Sequence, residues 1–320
     1  MTVAENSQGE TLRIRSSTDV DKFVLSFRQD APNFYAEGVC DVFYVPVEGG
    51  QLRVFHHKPK KVKAKRPIVF VPGFGTTPWS WQEFHRAHHG LAEYFYIETR
   101  DKKSSIIKRN RKTDMTIERL AKDIAEVIDY LGLRDKDFVL IATCLSGGVL
   151  LTGLIKKTLK APTVVVFDPF TKWTQNRFVV KFIMPILPPI FLTVFKKIIG
   201  MLIIANMKNK AQKERNMDTI ESAVAWKWRK FSMQNVNFDI TNEFQTIEQV
   251  VYVFHGPKDK YHPEGTFEHV AKAIPNAHFF LMKTSDALRE LLVGVIATEF
   301  AFITKEDGIP TSLREFEVPL

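Results

Sequence analysis

FVLIATCLSGG, Phe138 to Gly148, opens on an apolar run of strand length and closes on small residues that lead into a second apolar run, VLLTGLIKK. A short apolar run bounded by turn signals fits a strand buried on both faces, and the run after it carries a helical stripe with lysines at its end. Between them lies a strand-to-helix elbow, a strained turn that lifts one side chain above the sheet edge and needs small neighbours because the helix packs close. Two registers satisfy the small-x-nucleophile-x-small pattern. Ala142-Thr143-Cys144-Leu145-Ser146 makes Cys144 the nucleophile, with the Leu145 N–H behind it and Ser146 and Gly147 opening the helix. Cys144-Leu145-Ser146-Gly147-Gly148 makes Ser146 the nucleophile, but puts Gly147 in a usually bulky place and runs the strand two residues further. The strand-turn-helix context favours Cys144, against the plainer role of a small buried hydrophobe that most free cysteines have.

Outward from the elbow, strands and helices alternate. Asp41 to Pro59 gives two strand-like runs around Gly49-Gly50, a hairpin signal for an antiparallel edge. Arg66 to Gly75, RPIVFVPGFG, is a buried strand ending in glycines. Trp79 to Gly90 reads as a helix carrying His85, His88 and His89, for which packing or surface placement is favoured over zinc because no acidic partner completes a ligand set. Tyr94 to Arg100 is the next strand, and the DKKSSIIKRNRK after it is either a solvated loop or a landing patch for anionic headgroups. Thr116 to Leu131 is amphipathic, with Ile117, Leu120, Ala121, Ile124, Ile128 and Leu131 on one face and Gly132 as its stop. Pro162 to Phe167, Gln249 to His255 and His278 to Met282 supply further strands. This rhythm implies right-handed crossovers and a mostly parallel sheet with helices on both faces, an α/β fold.

With the elbow and this rhythm, the chain resembles the α/β-hydrolase superfamily over Asp41 to Ile303, and its cysteine box is similar to that of polyhydroxyalkanoate synthases and dienelactone hydrolases. The resemblance implies an α/β-hydrolase fold with an inserted helical cap. It implies an oxyanion hole from the Phe74 and Leu145 N–H groups, aimed where charge develops on an acyl carbonyl. The carboxylate that would orient an imidazole falls at Asp259, beyond Gly256-Pro257-Lys258; a turn aspartate capping the helix near Gly265 to Ile274 is the competing role. The catalytic histidine belongs after the last strand, yet Lys283 to Glu290 contains none, and its position falls at Asp286 or Ala287. His262, three residues beyond Asp259, is the nearest substitute along the chain.

Phe178 to Asn206 is the most apolar stretch, but Lys181, Lys196, Lys197 and Pro188-Pro189 interrupt it, so two shorter helices are expected in place of a membrane span. At the place of a cap, such helices imply a lipophilic substrate or contact with an anionic bilayer interface. The organisation expected is a polar arm over 1–40, a core over 41–170 and 246–303, a helical cap over 171–245, and a tail over 304–320.

At 320 residues and 45% hydrophobic, the chain holds enough apolar material for one large core with an insertion. Cys40 and Cys144 make no disulfide framework, and the first twenty residues lack the apolar core of a signal peptide, so a cytoplasmic protein, with peripheral membrane contact open to it, is expected. A net charge of +9 and a pI near 9.4 favour anionic partners, but no nucleic-acid-binding motif accompanies them. No cofactor or metal is expected. Two functions follow: an ester or thioester hydrolase or acyltransferase acting on lipophilic acyl groups through Cys144, or an inactive relative that binds a lipid, membrane surface or protein partner. Retention of the elbow and the acid favours the first, and loss of the histidine favours the second, since histidine is the usual base.

Overall fold

A computed structural model of the chain describes residues 3–5, 11–13, 17–174, 176–205, 210–256 and 265–320. A small antiparallel pair, β1 (Val3–Glu5) and β2 (Thr11–Arg13), forms a sheet of its own and is followed by α1 (Ser17–Ser26). The hairpin β3 (Asp41–Val47) and β4 (Gly50–His57) turns at Gly49, whose φ of +76° suits glycine. Then come β5 (Ile68–Val71), α2 (Gln82–His88), β6 (Tyr94–Ile97), the short β7 (Ile106–Ile107), α3 (Ile117–Tyr130), β8 (Val139–Thr143), α4 (Leu145–Ile155) and β9 (Thr163–Phe167). The chain then leaves the sheet for α5 (Pro189–Ala205), α6 (Lys210–Ser222) and α7 (Ala225–Asn235). It returns through β10 (Val251–His255), α8 (Thr266–Ala273), β11 (Ala277–Leu281), α9 (Arg289–Phe302) and β12 (Glu317–Val318).

The main sheet has ten strands in the order β12-β11-β10-β9-β8-β5-β6-β4-β3, with β7 on β4. Strands β6, β5, β8, β9, β10 and β11 run parallel, and antiparallel pairs flank them on both sides. Helices cover both faces, which is why β5, β6, β8 and β9 are buried along their whole length and read as continuous apolar runs. One core lies under α3, α4 and α8, and the other under α1, α2 and α9. The α3 boundaries follow local chemistry. The Thr116 side chain accepts the Arg119 N–H at its start, and Gly132, at φ +64°, lets the Leu133 N–H reach back to the Ile128 carbonyl at 3.1 Å.

The stretch expected to give two short helices gives a π-helical turn at Val179–Ile183 and one α-helix, α5, with Pro189 in the first helical position, where its missing N–H costs nothing. The Asn235 side chain ties α7 to the start of α3, accepting the Ile117 N–H at 2.9 Å. Outward-facing apolar side chains stay in water: Ile186 is 80% exposed, Ile190 74% and Leu202 69%. No described helix is long and apolar enough to cross a membrane.

Candidate active site

Cys144 stands between β8 and α4 with φ 49° and ψ −122°, a conformation that L-residues rarely hold. Both sides pin it. Its N–H donates to the Phe167 carbonyl at 2.9 Å, and its own carbonyl accepts the Phe170 N–H at 2.9 Å and the Gly148 N–H at 3.3 Å. A Cβ on Gly148 would lie 1.9 Å from the Phe170 carbonyl oxygen, and one on Gly147 would lie 3.0 Å from Pro169, so the small residues of the box are demanded by the packing of α4. Ser146 is buried and its hydroxyl donates to the Pro72 carbonyl at 2.6 Å, turned into the core. Leu145 is the first residue of α4, where helix geometry leaves the N–H without an intrahelical partner. Among the described residues neither this N–H nor that of Phe74 donates to a protein acceptor.

The loop bearing Phe74 is clamped. Lys102 Nζ donates to the Gly73 carbonyl, and Thr76 Oγ1 donates to the same oxygen at 2.8 Å. The Gly75 N–H donates to Asp101 Oδ2 at 2.8 Å, and that carboxylate also accepts the Thr99 hydroxyl. Gly75 has φ +70°, and a Cβ there would run into the Trp228 ring at 2.5 Å. Lys227, reaching in from α7, donates to the Lys102 and Ser105 carbonyls at 2.5 and 2.7 Å. Burial pushes its amine down to about 8, against the pull of Asp101 and Glu98. The stretch read as a solvated or headgroup-binding loop is thus half core. Asp101, Lys102 and Ser105 are buried, while Lys103, Lys108, Arg109, Arg111 and Lys112 remain in solvent.

At the carboxyl edge of the sheet, Thr143, Phe167 and Phe254 are in register, so Cys144, Asp168 and His255 follow side by side. Asp168, at φ 48°, joins its neighbours: Oδ1 lies 2.7 Å from His255 Nδ1, and Oδ2 accepts Arg289 Nη2 at 3.2 Å. The Arg289 guanidinium sits 5.4 Å from the Phe167 ring centre. Burial works against its charge, but the fields of Asp168, Glu290 and Cys144 outweigh that and hold its pKa above the ordinary arginine value. Cys144 therefore sits in the field of a guanidinium and at the positive end of α4. Sequence reading missed this Asp168–His255–Arg289 cluster. Its only signal was position, just past the ends of two consecutive strands and at the start of the last long helix.

The expected histidine position falls on a 3₁₀ turn, Asp286–Leu288, directly before α9. Ala287 is exposed. The Asp286 carbonyl accepts Arg215 Nη2 at 3.1 Å, and the same guanidinium pairs with buried Glu290, fastening α6 to this turn. Asp259 and His262 lie outside the described residues.

A cavity of about 440 Å³ opens on the elbow. Cys144, Phe74 and Leu145 meet it on the sheet side, and Phe170, Trp173, Met184, Ile220, Trp228 and Phe231 wall it, mostly from the segment between β9 and β10. The helix histidines are elsewhere. His85 and His88 are fully buried, His57 from β4 packs 5.3 Å from His85, and Tyr94 closes the group. They serve as packing, not as a surface. Among the described residues no cluster of histidine, cysteine, aspartate or glutamate is arranged to hold a metal ion.

No family model matches the sequence, and no curated protein matches it. Solved structures match the fold. A hydrolase from Pseudomonas aeruginosa superimposes with a TM-score of 0.63 at 14% identity, over 83% of this chain and 99% of that one. A thermophilic esterase from Thermogutta terrifontis gives 0.58 at 17%, over 80% and 99%. The enol-lactonase from Burkholderia xenovorans gives 0.57 at 15%, over 76% and 91%. At such identities the likeness is one of fold, and the fold is that of the α/β-hydrolases.

Proposed function

We propose that this chain is a hydrolase or acyltransferase for esters or thioesters of lipophilic acyl groups, working through a Cys144 acyl-enzyme beneath a cap formed by residues 171–245. The observation that carries the reading is the mostly apolar cavity of about 440 Å³ that Cys144, Phe74 and Leu145 line together. Its size lies within the ~300–1,000 Å³ of small-molecule sites. The start of α4 and the Arg289 guanidinium favour the thiolate, the form that attacks. The sulfur forms a bond to the acyl carbonyl carbon, and the oxygen takes up negative charge facing the two N–H donors. Collapse breaks the bond to the leaving group and leaves a thioester on Cys144. Water or an acceptor alcohol then takes the acyl group and returns the thiolate. A thiol or acidic alcohol departs with least help from a proton donor, so thioesters and activated esters are favoured over alkyl esters. Asp259 and His262 are the residues proposed for proton transfer. The apolar outer face around Ile186, Ile190 and Leu202, beside Lys181, suits contact with an anionic membrane surface.

The test is intact mass and peptide mapping after treatment with an electrophilic long-chain acyl probe. A thiol-reversible adduct is expected on Cys144 and none on Cys144→Ala. The adduct should form about fourfold faster for each methylene added until the cavity is full, at ~0.8 kcal/mol per buried methylene. An unmodified Cys144 in a protein that still binds the lipid would establish the second reading, a fold retained for its pocket, which the exposed Ala287 at the histidine position favours.

The clamp on Gly73 gives a sharper expectation. The Gly73 carbonyl and the Phe74 N–H belong to one peptide group, so the Lys102 ammonium on the oxygen both orients and polarises the N–H that would hold the oxyanion. Lys102→Met is expected to slow acylation by about tenfold, less than the 10²–10³ that follows loss of a donor outright. Alkylation of Cys144 by iodoacetamide forms no oxyanion and should keep its rate; a parallel drop in both would mean that the lysine merely supports the loop.

A further inference from the structure

Beside the apolar cavity lies a second one, of about 510 Å³, and the two share Lys196, Ala223 and Ala225. Its chemistry is different. Lys103 and Arg109 come from the exposed half of the basic loop, and among the described residues neither is paired with a carboxylate. The Arg109 guanidinium lies 5.7 Å from the centre of the Trp226 ring, which forms part of the wall. Lys196 donates to the Glu221 and Ala223 carbonyls at 2.7 and 3.3 Å, neutral acceptors that leave its charge uncompensated. Among the described residues, Glu221 is the one acidic residue of the lining, against three cations. Pro188, Pro189 and Ile190 close the other side and lead onto the exposed apolar face of α5.

We propose that this second cavity takes the anionic, phosphate-class head of an amphiphile whose acyl chain fills the first, so that the substrate class is an anionic acyl amphiphile. The inference rests on the acyl-transfer reading for what happens at Cys144, but the binding it describes is measured without chemistry. An apolar chain gains from the mostly apolar walls around Cys144, and a phosphate gains charge-assisted hydrogen bonds from Lys103, Arg109 and Lys196 of the second cavity.

Calorimetric titration with decyl phosphate and with decanol, both below the concentration at which they aggregate, tests it. Decyl phosphate is expected to bind about tenfold tighter than decanol, with the margin shrinking as salt is raised. The double variant Lys103→Gln, Arg109→Gln is expected to lose most of that margin, keeping only the part that Lys196 supplies, while its affinity for decanol, which reports an intact apolar cavity, stays at the wild-type level. Equal wild-type affinity for the two ligands, or a preference undiminished in the double variant, overturns the head-group site and leaves the acyl-transfer reading to stand or fall on Cys144 labelling. Inorganic phosphate binding as tightly as decyl phosphate would assign the cavity to free phosphate and overturn the amphiphile. A retained preference for decyl phosphate in a protein whose Cys144 takes no acyl probe supports the site and removes only the chemistry.

Discussion

Asp123→Ala is expected to cost about 3–5 kcal/mol of folding stability, read as a lower denaturation midpoint in guanidinium at unchanged slope. Asp123 and Arg100 are both buried, 1% exposed each, and the carboxylate bonds the guanidinium through both oxygens. Arg119, one turn earlier on α3, adds a third contact at 3.1 Å. Removing the carboxylate leaves Arg100 charged in the core with only the Glu48 and Asp114 carbonyls as partners, and a buried unpaired charge is what makes such losses large. The pair can be exchanged for apolar side chains of similar volume without leaving a charge behind, so Arg100→Met with Asp123→Leu should recover most of the loss. Function follows stability here, because Arg100 is followed directly by Asp101 and Lys102, the two residues that clamp the Gly73–Gly75 loop. A single variant within about 1 kcal/mol of wild type would mean that water reaches Arg100 and that the loop is anchored elsewhere.

What could be read from the sequence was what local chemistry fixes. The β3–β4 hairpin announced itself through two adjacent glycines, α3 through a threonine cap, an apolar stripe and a glycine stop, and the elbow through small residues that a close helix demands. Each of these is decided within a few residues. The Asp168–His255–Arg289 cluster is decided by the lateral order of β8, β9 and β10, and no local pattern states which strand ends will be neighbours. Asp101 and Lys102 were read with the solvent-facing charges around them because charged side chains are rarely buried unless paired. Their partners are the Gly73 and Gly75 peptides and Lys227, the last far along the chain on α7. The cavity wall likewise comes largely from the segment between β9 and β10, whose composition marked it as apolar but whose inward and outward faces are set by what lies beneath it.

The same ambiguity hid a pH dependence. His85 and His88, read from the sequence as packing or surface residues without a choice between the two, are buried against His57 and Tyr94, and their ring nitrogens have no hydrogen-bond partner among the described residues. Burial, reinforced by the neighbouring histidines, pushes His85 from 6.5 down to about 2 and His88 to about 3. The imidazoles are neutral in the folded protein and free to charge once it unfolds. Above pH 6.5 neither state binds the proton and these groups do not affect stability. As pH falls below 6.5 the unfolded chain takes up protons that the folded chain refuses, so stability is lost progressively until the folded values near 2 and 3 are reached. At pH 5 two such groups cost about 4 kcal/mol together, at 1.36 kcal/mol per pH unit and group. Burial raises the Asp123 and Glu290 carboxyls, and a raised acid works the other way, adding stability as pH falls. The histidine contribution is therefore best read as a difference between proteins. His88→Leu, which removes one titrating ring and keeps an apolar side chain in its place, should lose about 2 kcal/mol less than wild type between pH 7 and pH 5. Guanidinium titrations of both proteins at the two pH values measure this. Equal losses would mean that His88 protonates in place, through an opening of α2 toward solvent that the packed structure does not provide.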